Sequence, residues 1–319
     1  MSESRYQLAR AQFNGVNKFI ACQLSTESSP LIALSNYFNL TVGPECKDFP
    51  PFAEESMLSK PIMTALEYTV SHYAKHNISV PGFLNKERLL QIVPSLAKGL
   101  HLIPGCRRCQ DFIACDELYL FYVLNIKVIH GWVCDPNDKE FFSVLGNCSR
   151  STLLKSISRP GGLAKLVEGT SNPSSLSKKI QKFAESGLTK YGLRILHEEI
   201  GERQLAIICI NDQFDVIYKC SGDLFVLETD GHVLTKFGEA LWKRLTLTEE
   251  ESFYVTMHFD PVKGQKNIHK ATEWLERKLS DVDDCGDKGK EQASKKGRDR
   301  SSQVSNVGIW GDKAKGRGS

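Results

Sequence analysis

The chain has 319 residues, 41% of them hydrophobic and 25% charged, and its formal net charge is only +3. Those proportions suit a folded domain with a sizeable core and exclude both a strongly basic nucleic-acid binder and an acidic disordered chain. No run of about 18 apolar residues is present, so no membrane-spanning helix is expected.

The opening MSESRYQLARAQFNG lacks an apolar secretory run, and ten cysteines without such a leader point to reduced thiols in cytoplasm or nucleus. The folded body is expected from about residue 10. Residues 16–24, VNKFIACQL, read as a short buried strand, and a helix is expected to start at Ser29-Pro30. There Ser28 or Ser29 supplies a capping oxygen, Pro30 suits the first helical position, and Leu31, Leu34 and Phe38 follow at helical spacing. Four prolines make 44–61 a loop. Helices are expected at 61–76 and 85–99, with Pro94 kinking or ending the second.

A further helix is expected at 116–124, then a strand or extended turn through IKVIHGWV. Thr170–Ser177 reads as a loop before a helix at 176–186. Strands follow at 202–211, at 215–220 and in DLFVLETDGHVL, with turns at Gly222-Asp223 and Asp230-Gly231. Helices early and antiparallel strands late predict an α+β fold. From Asp281 to Ser319 there are nine Lys/Arg, seven Asp/Glu and seven Gly but few large apolar residues. The division expected is therefore a domain over 1–280 and a disordered tail over 281–319, with its basic Lys295–Arg300 segment read as solvated rather than bound to nucleic acid.

Chemistry-bearing motifs are sparse. Cys106 and Cys109 form C-x-x-C, with Cys115, His101 and Cys134 as further candidates, but no second ligand pair accompanies them. The thiols are therefore read as isolated, and no zinc or other cofactor is expected. No P-loop, G-x-G-x-x-G, H-E-x-x-H or G-x-S-x-G occurs. The junction Gln23–Pro30 places a strand-end amide six residues before a hydroxyl at a helix N-terminus, an arrangement that suits an oxyanion donor and a nucleophile. A strand-end polar group and a helix cap explain the same residues without catalysis.

IACQLSTESSPLIAL resembles the catalytic segment of the MINDY family of cysteine deubiquitinases. RLLQIVPSLAKGL, DELYLFYVLNIKVIHGWVCDP, FAESGLTKYGLRILHEEIGERQLAIICINDQF, GDLFVLETDGHVL and ALWKRL are similar to later family segments in the same order. HGW-x-x-DP and LT-x-x-GL are the most specific pieces. The resemblance implies a papain-like cysteine-protease-type fold with ubiquitin or polyubiquitin as partner. It places the family's oxyanion glutamine on Gln23, its nucleophilic cysteine on Ser29 and its base histidine on Gln213. An aromatic residue that the family places near ubiquitin falls on Trp132, a following tyrosine on Arg150, and a phenylalanine on Ile210 or Cys209.

A hydroxyl needs a base, and an amide accepts no proton near pH 7. The expectation is a pseudoenzyme that recognises polyubiquitin or a partner protein. An active cysteine-type deubiquitinase is the alternative, and a scaffold that keeps only the fold is a third. Cys22, His130 and His232 have no positional claim to replace the missing groups.

Overall fold

The computed structural model describes residues 5–23, 30–43, 50–76 and 86–278. Its first element is a hairpin. β1 (Arg5–Phe13) pairs antiparallel with β2 (Val16–Ala21) across Asn14-Gly15, whose φ values of 51° and 78° make a tight turn. The body thus begins ahead of residue 10, and strands precede the first helix. The alternation in RYQLARAQF and the Asn-Gly step carry that signal.

α1 (Pro30–Thr41) starts at Pro30, as the proline predicts, and it is buried on all sides. Its polar Asn36 is fully buried and serves the backbone: Ala21 N donates to Oδ1 at 2.7 Å, and Nδ2 donates to Ala21 O at 3.0 Å. That double bond fixes the helix against the end of β2. The expected Ser29 cap lies outside the described residues, as does residue 24 of the expected strand.

β3 (Phe52–Glu54) joins the free edge of β1, and α2 (Glu55–Lys75) follows at once. The helix therefore begins six residues before Pro61, inside the segment expected to be loop. The turn before the proline carries exposed Ser56 and Met57, so solvent can serve the carbonyl that Pro61 leaves without a donor. α3 (Lys86–Ile92) passes into a 3₁₀ turn (Val93–Lys98) at Pro94, as expected.

α4 (Asp116–Val123) matches its expectation, and β4 (Val128–Ile129) is only two residues long. Next come α5 (Lys139–Leu145), α6 (Arg150–Ile157), α7 (Gly162–Leu166), α8 (Pro173–Glu185) and α9 (Lys190–Glu199). α8 starts three residues earlier than expected, where Asn172 caps Ser175 N and Pro173 takes the first turn.

The late sheet runs β4-β5-β6-β7-β8-β9, with β5 (Leu205–Ile210), β6 (Gln213–Cys220), β7 (Asp223–Leu227), β8 (Trp242–Arg244) and β9 (Tyr254–Val255). Only β4–β5 is parallel. Ser221-Gly222, at φ 52° and 77°, make the β6–β7 turn one residue earlier than expected. Asp230-Gly231 is no hairpin turn, because Asp230 caps α10 (Gly231–Lys236). The fold is α+β.

The chain divides into a compact unit over 1–275 and a second over 276–319, of which only 276–278 are described. A helix over 268–278 buries Trp274, whose Nε1 donates to Asp223 Oδ2 at 2.6 Å. The expected tail lies outside the described residues. No described helix is long and apolar enough to cross a membrane.

Candidate functional site

Two backbone bonds hold Gln23 at its place. Its N–H donates to Thr229 O at 2.7 Å, and its carbonyl accepts from Gly231 N at 3.1 Å, bridging the end of β2 to the α10 cap. Gln213 begins β6 just after the Asn211-Asp212 turn, with φ values of 53° and 63° there. These residues are far apart in sequence, yet both line one cavity of about 400 Å³ between the β2 end and the late sheet. Ser29 lies outside the described residues.

Gln23 Nε2 is buried and has no hydrogen-bond acceptor among the described residues. It is an available donor for developing negative charge. Gln213 is exposed, and its side-chain amide accepts no proton near neutral pH.

Sequence reasoning missed the carboxyl groups of this cavity. Asp215 follows Gln213 by two on the strand and so shares its face. Burial, then the Glu228 charge, pushes the Asp215 carboxyl up to about 7. Burial also raises Glu228, whose Oε1 accepts from Asp230 N at 2.8 Å. Lys243, bonded to Glu249 Oε1 at 2.8 Å, lies opposite, and Tyr254 is pushed up to about 12 by burial and the surrounding acids. A polar residue at an alternating position in QFDVIYKC is the only trace of Asp215 in the sequence.

Neither neighbouring thiol is disposed to act as a nucleophile. Cys22 is buried and pushed up to about 12 by burial and Glu228, and it lines a separate cavity with Gln7 and Leu234. Burial does the same to Cys209. His232 is exposed in α10 and does not line the cavity.

His130 is structural. It is fully buried, with Nε2 at 2.9 Å from Asp111 O and Nδ1 accepting from Trp132 N at 3.2 Å. Burial, ahead of a small Arg150 contribution, lowers its pKa to about 4, so the ring is neutral. Trp132 is 1% exposed, donates Nε1–H to Phe183 O at 2.9 Å and packs on the Phe183 ring. It does not line the Gln23–Gln213 cavity.

HGW and LT-x-x-GL meet in the fold. Thr189 caps α9, its N–H donates to Gly131 O at 3.0 Å, and its hydroxyl donates to Val133 O at 2.8 Å. A Cβ at Gly192 would sit 1.9 Å from Gly131 O, so only glycine permits this approach. The C-x-x-C is split: Cys106 packs with Trp132, whereas Cys109 packs with Ile129 and Val133. Among the described residues no group of three or more His, Cys, Asp or Glu is placed to hold a metal.

A family model described as MINDY deubiquitinase matches residues 4–259. The uncharacterized protein YGL082W of Saccharomyces cerevisiae is 28% identical over 82% of this chain and 70% of its own length. Ubiquitin carboxyl-terminal hydrolase MINDY-2 of Homo sapiens is 24% identical over 84% of this chain and 43% of its own. The corresponding MINDY-1 of Bos taurus is 25% identical over 55% and 37%. The chain thus spans less than half the length of these two hydrolases.

Proposed function

The chain belongs to the MINDY deubiquitinase family, and from that premise we propose that it recognises polyubiquitin, or a partner protein on the same surface, without cysteine-type hydrolysis. One observation carries the reading. Gln23 and Gln213 line a single cavity, which supports reading Gln213 at the family's base position, where its amide can take no proton. The resemblance puts a hydroxyl, Ser29, at the nucleophile position. A hydroxyl is not ionised near pH 7, and loss of either partner of a nucleophile–base pair costs on the order of 10⁴-fold in rate. The shielded thiols of Cys22 and Cys209 add support, since neither offers a thiolate near neutrality.

A second reading rests on Gln23. Its Nε2 has no acceptor among the described residues, which leaves it able to act as the oxyanion donor that an active hydrolase requires. Purified protein incubated with defined ubiquitin chains, scored for both cleavage and retention, separates the two. Retention without cleavage is expected. Cleavage abolished by Ser29→Ala would establish the hydrolase instead.

A further inference from the structure

We propose that Cys106 and Cys134 form a reversible disulfide when the protein meets hydrogen peroxide. The inference is independent of ubiquitin recognition.

Three segments converge on Cys106. Its carbonyl accepts from Cys134 N at 2.8 Å, and its N–H donates to Cys148 O at 3.2 Å. A direct backbone hydrogen bond of this kind sets two Cα atoms roughly 5–6 Å apart, within the span a disulfide bridges. The Cys106 thiol donates to Leu145 O at 2.6 Å, and its electrostatics are linked to those of the Cys134 thiol. Both sit in one apolar cluster with Trp132, Phe141 and Leu145. The sequence neighbour Cys109 is not the partner, since it packs into a different cluster and burial pushes it up to about 11.

The pair is asymmetric. Interaction between the two side chains lowers the pKa of Cys106 and raises that of Cys134. Cys106 is therefore the attacking sulfur and Cys134 the resolving one. In the first step the Cys106 thiolate attacks one peroxide oxygen, the O–O bond breaks, and Cys106 sulfenic acid and hydroxide form. In the second, the Cys134 sulfur attacks the sulfenic sulfur, the S–O bond breaks, and water leaves. Two thiols and one peroxide give one disulfide and two waters.

Both thiols are 1% exposed. The oxidant must therefore be close to water in size and must enter by local opening, which favours peroxide over a glutathione-sized disulfide. Half-buried Cys148 lies at the edge of the cluster in the α5–α6 turn. The bridge would staple the HGW segment to residues 104–106, directly beneath Trp132.

The test uses the full chain, reduced, exposed to hydrogen peroxide, quenched, then unfolded and alkylated. Of the ten cysteines, all should alkylate before peroxide and two fewer after it. Peptide mapping should find Cys106 joined to Cys134, and dithiothreitol should restore full alkylation. Cys106→Ser and Cys134→Ser should each abolish the bridge, while Cys148→Ser should keep it. Full alkylation after peroxide, or a bridge to Cys148 or Cys109, overturns the proposal. The wild-type map decides the matter even if a serine variant does not fold.

Discussion

Side-chain surroundings set the behaviour of the site residue by residue. If Ser29 and Gln213 occupy the family's positions, Ser29→Cys alone should restore little cleavage, because the thiol would lack an imidazolium partner. Adding Gln213→His should raise turnover more than additively, as nucleophile and base act as a unit. Labelling of position 29 by a thiol-reactive ubiquitin probe in the double variant is the readout. No labelling would remove Ser29 from the site. His130 and Asp215 make opposing contributions to pH stability. His130, lowered to about 4, supports the fold fully above pH 6.5, and that support, about 3 kcal/mol, is lost as pH falls toward 4. Asp215, raised from 3.8 to about 7, acts the other way, and its contribution is lost as pH rises through that window. The two slopes offset each other in the wild type. Asp215→Asn should therefore steepen the acid loss in urea unfolding, and His130→Gln should flatten or reverse it. Equal slopes in all three proteins would show that neither group titrates as stated.

Contacts between elements explain why the motifs look as they do. Gly192→Ala should cost at least about 3 kcal/mol, because the added Cβ meets the Gly131 carbonyl of a neighbouring segment rather than a yielding side chain. A thermal midpoint close to wild type would mean that α9 and the HGW segment separate easily. Asn36→Leu strands the Ala21 N–H and C=O in the core and should cost about 2–4 kcal/mol, loosening the β2 end that carries Gln23. Trp132→Ala should cost about 3–5 kcal/mol and weaken polyubiquitin retention through the loop it supports. Trp132→Phe should preserve most of both. Lost retention in a fully stable Trp132→Phe protein would instead indicate direct contact. Part of this scale was legible. The Ser-Pro step marked the start of α1, whereas the Asn172-Pro173 and Asn14-Gly15 steps were passed over, so α8 was expected three residues late and the first hairpin was missed. α2 was misjudged because Pro61 reads as a boundary, although an exposed preceding turn tolerates it.

For the whole molecule, the last described helix, over 268–278, bears on where the chain can be shortened. Trp274 packs against Phe225 and Phe253 and bonds Asp223, so a chain ended at residue 266 should lose a large part of its stability. A chain ended at residue 280 should keep its thermal midpoint within about a degree or two. A large fall in the second case would show that residues beyond 280 support the core.

The sequence alone determined the fold class and the family resemblance. Both were open to it because caps, prolines, strand alternation and ordered motifs are local or additive along the chain. Only the tertiary structure decided that Gln23 and Gln213 share a cavity, that burial and Glu228 push the Asp215 carboxyl up, and that Cys106 clusters with Cys134 rather than with Cys109. Each depends on burial and on contacts between segments distant in sequence, and neither burial nor such contacts are carried by local pattern.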